Sequence, residues 1–314
     1  MQRRWMAGAC LALAALGGAM GAFAQDKPKV ALVMKSLANE FFRTMEDGAK
    51  DYQKAHADEF ELIANGIKNE TDTGEQIRIV EQMVNAGAKA LVIAPADSKA
   101  LVSAVKKAMD QGVVVINIDN RLDPELLKSK GISVPFVGPD NRKGARLVGD
   151  YLASQKLKAG DQVGIIEGVP TTTNAQQRTA GFKDAMDAAQ IKIVSVQSGN
   201  WEIDKGNAVA ASMLNEYPDL KALLAGNDSM ALGAVSAVRA AGKAGQVQVV
   251  GYDNIKAIKP MLADGRVLAT LDQAASQQAV YGIQAALKMV KGEKPDVDAD
   301  NVIQTPVELI TKKP

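Results

Sequence analysis

KALVIAPADSKAL (Lys89–Leu101) runs on into VVVINID, which ends at Asp119, and the chain then repeats the phrase: KALLAGNDSMAL (Lys221–Leu232) runs on into VQVVGYD, which ends at Asp253. In each copy an apolar run stops at an Ala-Asp or Asn-Asp turn, a stretch with helical spacing follows, and a second apolar run stops at an aspartate. ALVIAP and VVVINID are short, continuous, rich in β-branched residues and bounded by Asp, Asn, Pro and Gly. Strands buried on both faces of a parallel sheet read this way. Between them Leu101, Val102, Val105 and Ala108 recur at the period of one helix face. A strand, turn, helix, strand unit used twice predicts two similar α/β lobes, each a doubly wound parallel sheet. Ligands of open parallel sheets gather beyond the carboxyl ends of the strands, where Asp119 and Asp253 fall, one per lobe.

The flanking sequence extends the same order. VALVMK from Val30 predicts a first strand, with SLANEFF turning into a helix whose buried stripe holds Met45, Ala49 and Tyr52. FELIAN predicts the next strand, followed by a helix through Ile77, Ile79, Val80 and Met83. FVGPDN (Phe136 to Asn141) predicts a short strand crossing into the second lobe. There a helix over 141–155, strand VGIIEG, turn VPTTTNAQQR, a helix through Phe182 and Met186, and strand IKIVSVQ repeat the scheme before SGNWEID and the second copy of the phrase. VLATLDQ (Val267 to Gln273) begins a return, the helix from Ala275 to Val290 is expected on the first lobe, and the tail VIQTPVELIT is expected on the second. The predicted lobes are therefore 25–138 with 274–301, and 139–273 with 302–314. Three crossings make a hinge, and two lobes on a hinge close over something.

Residues 1–24 read as a secretory signal: Arg3 and Arg4 at the start, an apolar stretch from Trp5 to Met20, and AFA before Gln25. The apolar run is interrupted by glycines and shorter than the roughly 20 residues of a membrane-spanning helix. Cleavage after Ala24 removes Cys10, the only cysteine, so the exported chain has no thiol and no disulfide. The formal net charge of +1, with no basic run, argues against nucleic acid, and export argues more strongly. Catalysis finds little support. The single histidine, His56, falls at the far end of a surface helix, so Cys/His pairs, Ser/His/Asp triads and ordinary zinc sites are excluded. No dinucleotide or phosphate-binding glycine loop is present. No catalytic residue, metal or cofactor is expected, although a carboxylate pair such as Asp119 and Asp253 resembles a glycosidase pair in kind.

The polar residues at the predicted strand ends form one chemically coherent set. Asn39, Asp119, Arg178, Asn227, Asp253 and Gln273 are donors and acceptors of fixed geometry, while Phe41, Phe42 and Trp201 are flat apolar faces. A sugar needs both, since buried hydroxyls demand hydrogen bonds, charged partners make the stronger ones, and the C–H faces of the ring pack on aromatics. Each residue also has a structural role open to it. Asn39 is placed to cap the following helix, and one of Asn227 and Asp228 is placed to cap another. Phe41 and Phe42, about 100° apart on a helix, divide between core and cleft. Arg178 fits a surface ion pair, and Trp201, in a polar loop, fits a contact surface better than core.

On these motifs the sequence resembles the periplasmic sugar-binding proteins of ABC importers in the ribose, allose and galactose group, and with them the effector-binding domains of LacI-type repressors. The likeness spans Lys27 to Lys313. LANEFF is similar to the family's first-loop asparagine and aromatics, NID to its strand-end aspartate, and the arginine of NAQQRTAGF to its sugar-clamping arginine. GNW, AGNDSMALGA, VVGYD and LATLDQ supply the second-lobe aromatic, asparagine, aspartate and glutamine. The resemblance implies Asn39, Asp119, Arg178, Asn227, Asp253 and Gln273 as hydrogen-bonding groups and Phe42 and Trp201 as a stacking pair. Lys35 matches a lysine of the allose-binding type, although a strand-end lysine also suits solvent. The ribose binders carry arginine directly after the strand-end aspartate, where this chain has Asn120 before Arg121. That departure leans towards an allose-like sugar or a polyol such as a pentitol, tetritol or inositol, and it places Asn120 among the candidate ligand contacts. The expected partners are a sugar or polyol, an inner-membrane ABC permease and, as a second class, a chemoreceptor, with the chain a monomer. A sugar-processing enzyme and a sensing partner are the alternative functions. A repressor would need a DNA-binding segment ahead of Val30, where the export signal lies.

Overall fold

The computed structural model describes residues 27–312. The export signal read over 1–24, with Cys10, lies outside them. The first lobe follows the order β1 (Lys29–Ser36), α1 (Glu40–Ala55), β2 (Glu61–Ile67), α2 (Thr73–Asn85), β3 (Ala90–Ile93), α3 (Val102–Asp110), β4 (Val114–Ile118), α4 (Pro124–Ser129) and β5 (Phe136–Gly138). The second continues with α5 (Asn141–Lys156), β6 (Gln162–Glu167), α6 (Thr173–Ala188), β7 (Lys192–Ser198), α7 (Ile203–Glu216), β8 (Leu220–Ala225), α8 (Asp228–Ala240), β9 (Gln248–Val250), α9 (Lys259–Asp264) and β10 (Ala269–Asp272). The chain returns through α10 (Ala275–Val290), β11 (Val302–Gln304) and β12 (Glu308–Thr311). The sheets run β11-β5-β4-β3-β1-β2 and β12-β10-β9-β8-β6-β7, the same order twice, as the repeated phrase predicts. Every pairing is parallel except β10 with β12.

The continuous apolar runs are explained by helices on both faces of each sheet. Along β1, Val30, Leu32 and Met34 join one core with Met45 of α1 and Ile283 of α10, while Ala31 and Val33 join another with Ile79 of α2 and Val105 of α3. A period-2 strand with two covered faces has no position left for a polar residue. In the second lobe Val163 and Ile165 of β6 pack with Phe182 and Met186 of α6. Phe182 is fully buried there, and truncating it to alanine costs ~3–5 kcal/mol by the usual cavity penalty.

The tail differs from the expectation in one place. β11 pairs in parallel with β5, Val302 against Phe136 and Gln304 against Gly138, so residues 302–304 belong to the first sheet and the third crossing falls after Gln304 rather than at 301. Only β12 reaches the second sheet. Residue-level pairing decides this, because VIQ fits either edge. No helix among the described residues is long and apolar enough to cross a membrane.

Candidate functional site

The strand ends of both lobes face each other across the hinge. Asp119 follows β4 and Asp253 follows β9, and both adopt left-handed φ, +61° and +119°. Such conformations cost ~1–3 kcal/mol outside glycine and persist only when neighbours enforce them. Around Asp119 the enforcer is Asn117: its Oδ1 accepts from the Leu122 amide at 2.7 Å and its Nδ2 donates to the Asn120 carbonyl at 2.8 Å. Around Asp253 it is Asp228, whose Oδ2 accepts from the Ile255 amide at 3.0 Å and whose Oδ1 accepts from the Thr270 hydroxyl at 2.7 Å. Burial, with the Asp253 charge nearby, pushes the Asp228 carboxyl well above the usual carboxylate range.

Every residue expected at the site except Asn120 lines a single cavity between the lobes, joined by Glu70 and Asn174. On the first-lobe side, Lys35 Nζ lies 3.7 Å from Glu70 Oε2 and 3.5 Å from Asp119 Oδ2. It also lies 5.3 Å from the Phe42 ring centre and 5.4 Å from that of Trp201. An ammonium over aromatic faces is attracted by their quadrupoles, and here the two rings belong to opposite lobes. The strand-end lysine is 3 % exposed and does not point to solvent. Phe41 and Phe42 are both buried and meet edge to face at 5.2 Å. Both reach the cavity, so the expected division between core and cleft is not made.

On the second-lobe side, Arg178 is 3 % exposed and its guanidinium is fully engaged on one edge. Nε donates to Asn141 Oδ1 at 2.8 Å, and Nη1 donates to the Gly226 carbonyl at 3.0 Å and lies 3.5 Å from Asp253 Oδ1. The plane rests on Tyr252, 3.8 Å from its ring centre. Gln273 Nε2 donates to the same Asp253 oxygen at 2.6 Å. Burial raises Asp253 to about 7, against the opposing pull of Arg178 and the Gln273 hydrogen bond. A surface ion pair for Arg178 is thereby replaced by a buried network.

Trp201 sits in a loop where Asn200 and Trp201 take consecutive left-handed φ of +49° and +68°, a reversal that turns the indole inward to 3 % exposure. Room for it is made by glycine. A Cβ on Gly168 would clash with Cε2 and Cζ2 of the indole, and one on Gly226 would lie 3.3 Å from it. The loop is held by Asn227, whose Nδ2 donates to the Trp201 carbonyl at 3.2 Å while its Oδ1 caps α8 through the Met230 amide at 2.9 Å. Asn39 is similarly double-tasked. Its Oδ1 caps α1 through the Phe41 amide at 3.0 Å, and its Nδ2 donates to Glu70 Oε1 at 3.0 Å. Each amide nitrogen keeps one further proton.

Asn120 is fully buried but faces elsewhere. Its Nδ2 donates to the Pro95 carbonyl at 2.9 Å, and its Oδ1 lies 3.3 Å from both the Ser98 hydroxyl and the Asn174 amide. Coming one residue after left-handed Asp119, its side chain turns away from the cavity and onto the start of α6. There Ser98 Oγ accepts from the Thr173 amide at 2.9 Å and lies 3.0 Å from Thr173 Oγ1, which donates to the Arg121 carbonyl at 3.0 Å. These bonds join the lobes on one flank of the cavity. On another, Glu40 accepts from the Lys256 and Ala257 amides at 2.8 and 3.2 Å.

Four buried polar atoms on residues that line this cavity have no hydrogen-bond partner among the described residues: Glu70 Oε2, Asp119 Oδ2, Arg178 Nη2 and Trp201 Nε1. Two accept and two donate. The residues that sequence reasoning passed over are Glu70 and Asn174 in the cavity wall, and Asn141 and Tyr252 behind Arg178. Glu70 lies in KNETD, a polar loop stretch, and Asn174 in TTNAQ, the polar first turn of α6, and neither stretch carries a periodic signal.

Two α/β lobes with repeated topology, crossed three times and closed over a polar, aromatic-walled cavity, define a hinged solute-binding protein. The chain belongs to the periplasmic binding protein family: the model of the periplasmic binding protein domain matches residues 30–294. It is 77% identical over 286 residues, 91% of this chain and 89% of the relative, to the D-ribose/D-allose-binding protein of Pseudomonas aeruginosa. Among solved structures it is similar to an ABC transporter solute-binding protein of Burkholderia multivorans (TM-score 0.87, 72% identity, 91% of this chain and 99% of the other), which holds an unknown ligand built as α-D-erythrofuranose. It is also similar to the solute-binding protein of Actinobacillus succinogenes with bound D-allose (TM-score 0.84, 34% identity, 91% and 98% covered).

Proposed function

We propose that this chain is the periplasmic solute-binding component of an ABC importer and that it captures a neutral monosaccharide of the ribose/allose type, or a small sugar alcohol, between its lobes. The observation that carries this reading is the cavity wall. Buried acceptors on Glu70 and Asp119 and buried donors on Arg178 and Trp201 share the wall, and all four atoms lack a hydrogen-bond partner, the two carboxylate oxygens having only the distant Lys35 ammonium. A polyhydroxylated ligand satisfies both kinds at once, and a buried group left unpaired costs ~1–3 kcal/mol. Three carboxylates against two cations favour a neutral ligand over a phosphorylated or acidic sugar.

In this reading Lys35, Asn39, Asp119, Arg178, Asn227, Asp253 and Gln273 bond hydroxyls, and Phe41, Phe42 and Trp201 pack on the ring. Ligand first meets one lobe, and hinge rotation about the three crossings brings the other. It stabilises the closed form only through contacts absent from the open one. The closed monomer then presents the rims of both lobes to a membrane permease, or to a chemoreceptor that reads the same state, and the sugar is released unchanged. The relatives are sugar-binding transport proteins.

The test is a thermal-shift and Trp201-fluorescence screen of the ligand-stripped exported chain against aldohexoses, pentoses, tetritols, pentitols and inositols. A ligand at about a hundred times its dissociation constant adds roughly 2.7 kcal/mol of stability, and Trp201→Ala or Asp253→Ala should abolish the shift. A well-folded sample that responds to no member of the panel would sink the proposal.

A further inference from the structure

Glu70 lies in the loop between β2 and α2, where nothing in the sequence pattern marks a ligand contact. The loop is pinned on both sides of it. Ser36 Oγ donates to the Lys68 carbonyl at 2.9 Å, Asn69 Oδ1 accepts from the Thr71 amide at 3.0 Å, and Asp72 Oδ1 caps α2 through the Glu75 amide at 2.9 Å. The carboxylate is therefore presented in one place, 1 % exposed. Its Oε1 is consumed by Asn39 Nδ2 at 3.0 Å. Glu70 lines the cavity, and its Oε2 accepts from no group among the described residues.

Lys35 does not account for that oxygen. Its Nζ stands 3.7 Å from Glu70 and 3.5 Å from Asp119, whereas charge-assisted N–H···O bonds close to about 2.7–2.9 Å. The ammonium offsets two carboxylates without bonding tightly to either. Burial lifts this carboxyl to about 7, so its charged form is costly until a donor reaches the free oxygen. A ligand hydroxyl entering the cavity supplies that donor.

We infer that Glu70 is a specificity-determining residue of the sugar site, its Oε2 accepting one ligand hydroxyl on the first-lobe side, and that Asn39 serves mainly to aim it. This rests on the sugar-binding reading and refines it. The cavity selects for a ligand with a hydroxyl at one defined carbon, because a deoxy or O-methyl analogue leaves the carboxylate buried and unpaired. Sites built to bond a hydroxyl reject the analogue lacking it far more strongly than apolar pockets reject a missing methylene.

The experiment titrates Trp201 fluorescence of wild type, Glu70→Gln and Glu70→Asp with D-ribose, D-allose and their single-position deoxy analogues. Wild type should reject one deoxy analogue by ~100-fold or more. In Glu70→Gln the parent sugar should weaken by ~10-fold or more while discrimination against that analogue collapses and discrimination at the other positions stays. Glu70→Asp keeps the charge beside Lys35 but withdraws the oxygen, so it should lose the same discrimination. Uniform weakening of every analogue would show a structural role and overturn the inference, as would an unchanged profile in both variants. Binding of no sugar by wild type would overturn the sugar reading and this inference together, whereas wild-type binding with unchanged variants overturns this inference alone.

Discussion

Replacing Thr173 with alanine tests whether closure has a fastening of its own, separate from the ligand. Thr173 Oγ1 donates to the Arg121 carbonyl at 3.0 Å and lies 3.0 Å from Ser98 Oγ. With one proton per hydroxyl, the first bond uses the threonine's and the second uses the serine's. Both cross between lobes, so both are exchanged for water when the hinge opens. A neutral hydrogen bond nets ~0.5–1.5 kcal/mol against water. The Ser98 proton has a second acceptor in Asn120 Oδ1 at 3.3 Å, so the truncation should cost the closed form ~1–2 kcal/mol. That is roughly 5- to 30-fold in the closing equilibrium. Because the open form contributes little to holding ligand, the apparent dissociation constant should rise by the same factor. Thr173 does not line the cavity, so the factor must be the same for every ligand. Trp201-fluorescence titration with D-ribose and D-allose measures it, and stopped-flow dissociation should place most of it in the off-rate. Loss confined to one sugar, or no loss while both sugars still bind, would refute the clasp. A fall in the melting temperature of the ligand-free variant would show damage to the lobe instead.

Other consequences follow from the same geometry. Gly168→Ala puts a methyl group where the Trp201 indole lies, so the ring must leave its slot. Affinity should fall by ~10-fold or more for a lost aromatic contact of this kind, with a red-shifted emission in a normally folded protein, and unchanged emission would disprove the placement. Arg178→Lys cannot reproduce the bond to Asn141, the second to Gly226 and the stack on Tyr252; urea unfolding should show a loss of about 2–4 kcal/mol, and a variant as stable as wild type would mean the network contributes nothing. Burial raises both Glu70 and Asp253 to about 7, so the folded closed chain holds protons that the unfolded chain releases near pH 4, and its stability should fall as pH rises from about 4 to about 7 and level off above. Ligand hydroxyls favour the carboxylate form, so affinity should rise over that window with net proton release, read by calorimetry in buffers of different ionisation enthalpy; proton uptake on binding would contradict hydroxyl donation to these groups.

The two-lobe architecture was legible because it is written in bulk properties. A strand covered on both faces must be apolar throughout, and a phrase that satisfies this twice declares two sheets. The candidate site was legible where chemistry and topology coincide, at the strand ends carrying Asp119 and Asp253, at the turns carrying Asn39 and Asn227, and near the start of α6 at Arg178. It was illegible where the direction of a side chain depends on a single dihedral. Asn120 adjoins Asp119 in sequence, yet the left-handed φ of +61° at Asp119 sends the two side chains apart, one into the cavity and the other onto the start of α6. Glu70 was missed for a related reason: a glutamate in a polar loop ahead of a helix cap reads as solvent-facing, and only the three-dimensional meeting of β1, α1 and that loop buries it.

Eight non-glycine residues among those described take positive φ. Four of them, Asp119, Trp201, Asp253 and Ala274, sit at the cavity or on the hinge crossing beside it, whereas Gln190 lies in the turn between α6 and β7. Local sequence preference opposes each of these conformations, so they must be imposed by tertiary bonds such as those of Asn117, Asp228 and Asn227. A chain selected only for stability would relax them by substituting glycine. Here the side chains at three of those positions, Asp119, Trp201 and Asp253, line the cavity, so the left-handed backbone and the cavity wall are built by the same residues. It also explains why Asn39 and Asn227 each cap a helix with the oxygen while steering a cavity residue with the nitrogen: one bond fixes the element and the other fixes the ligand-facing group. Substituting either with aspartate should therefore keep the cap and lose the steering, leaving a stable protein that binds sugar weakly. Calorimetry of Asn227→Asp, with melting followed in parallel, would separate those two roles, and a variant that keeps full affinity would show that the amide proton on Trp201 steers nothing.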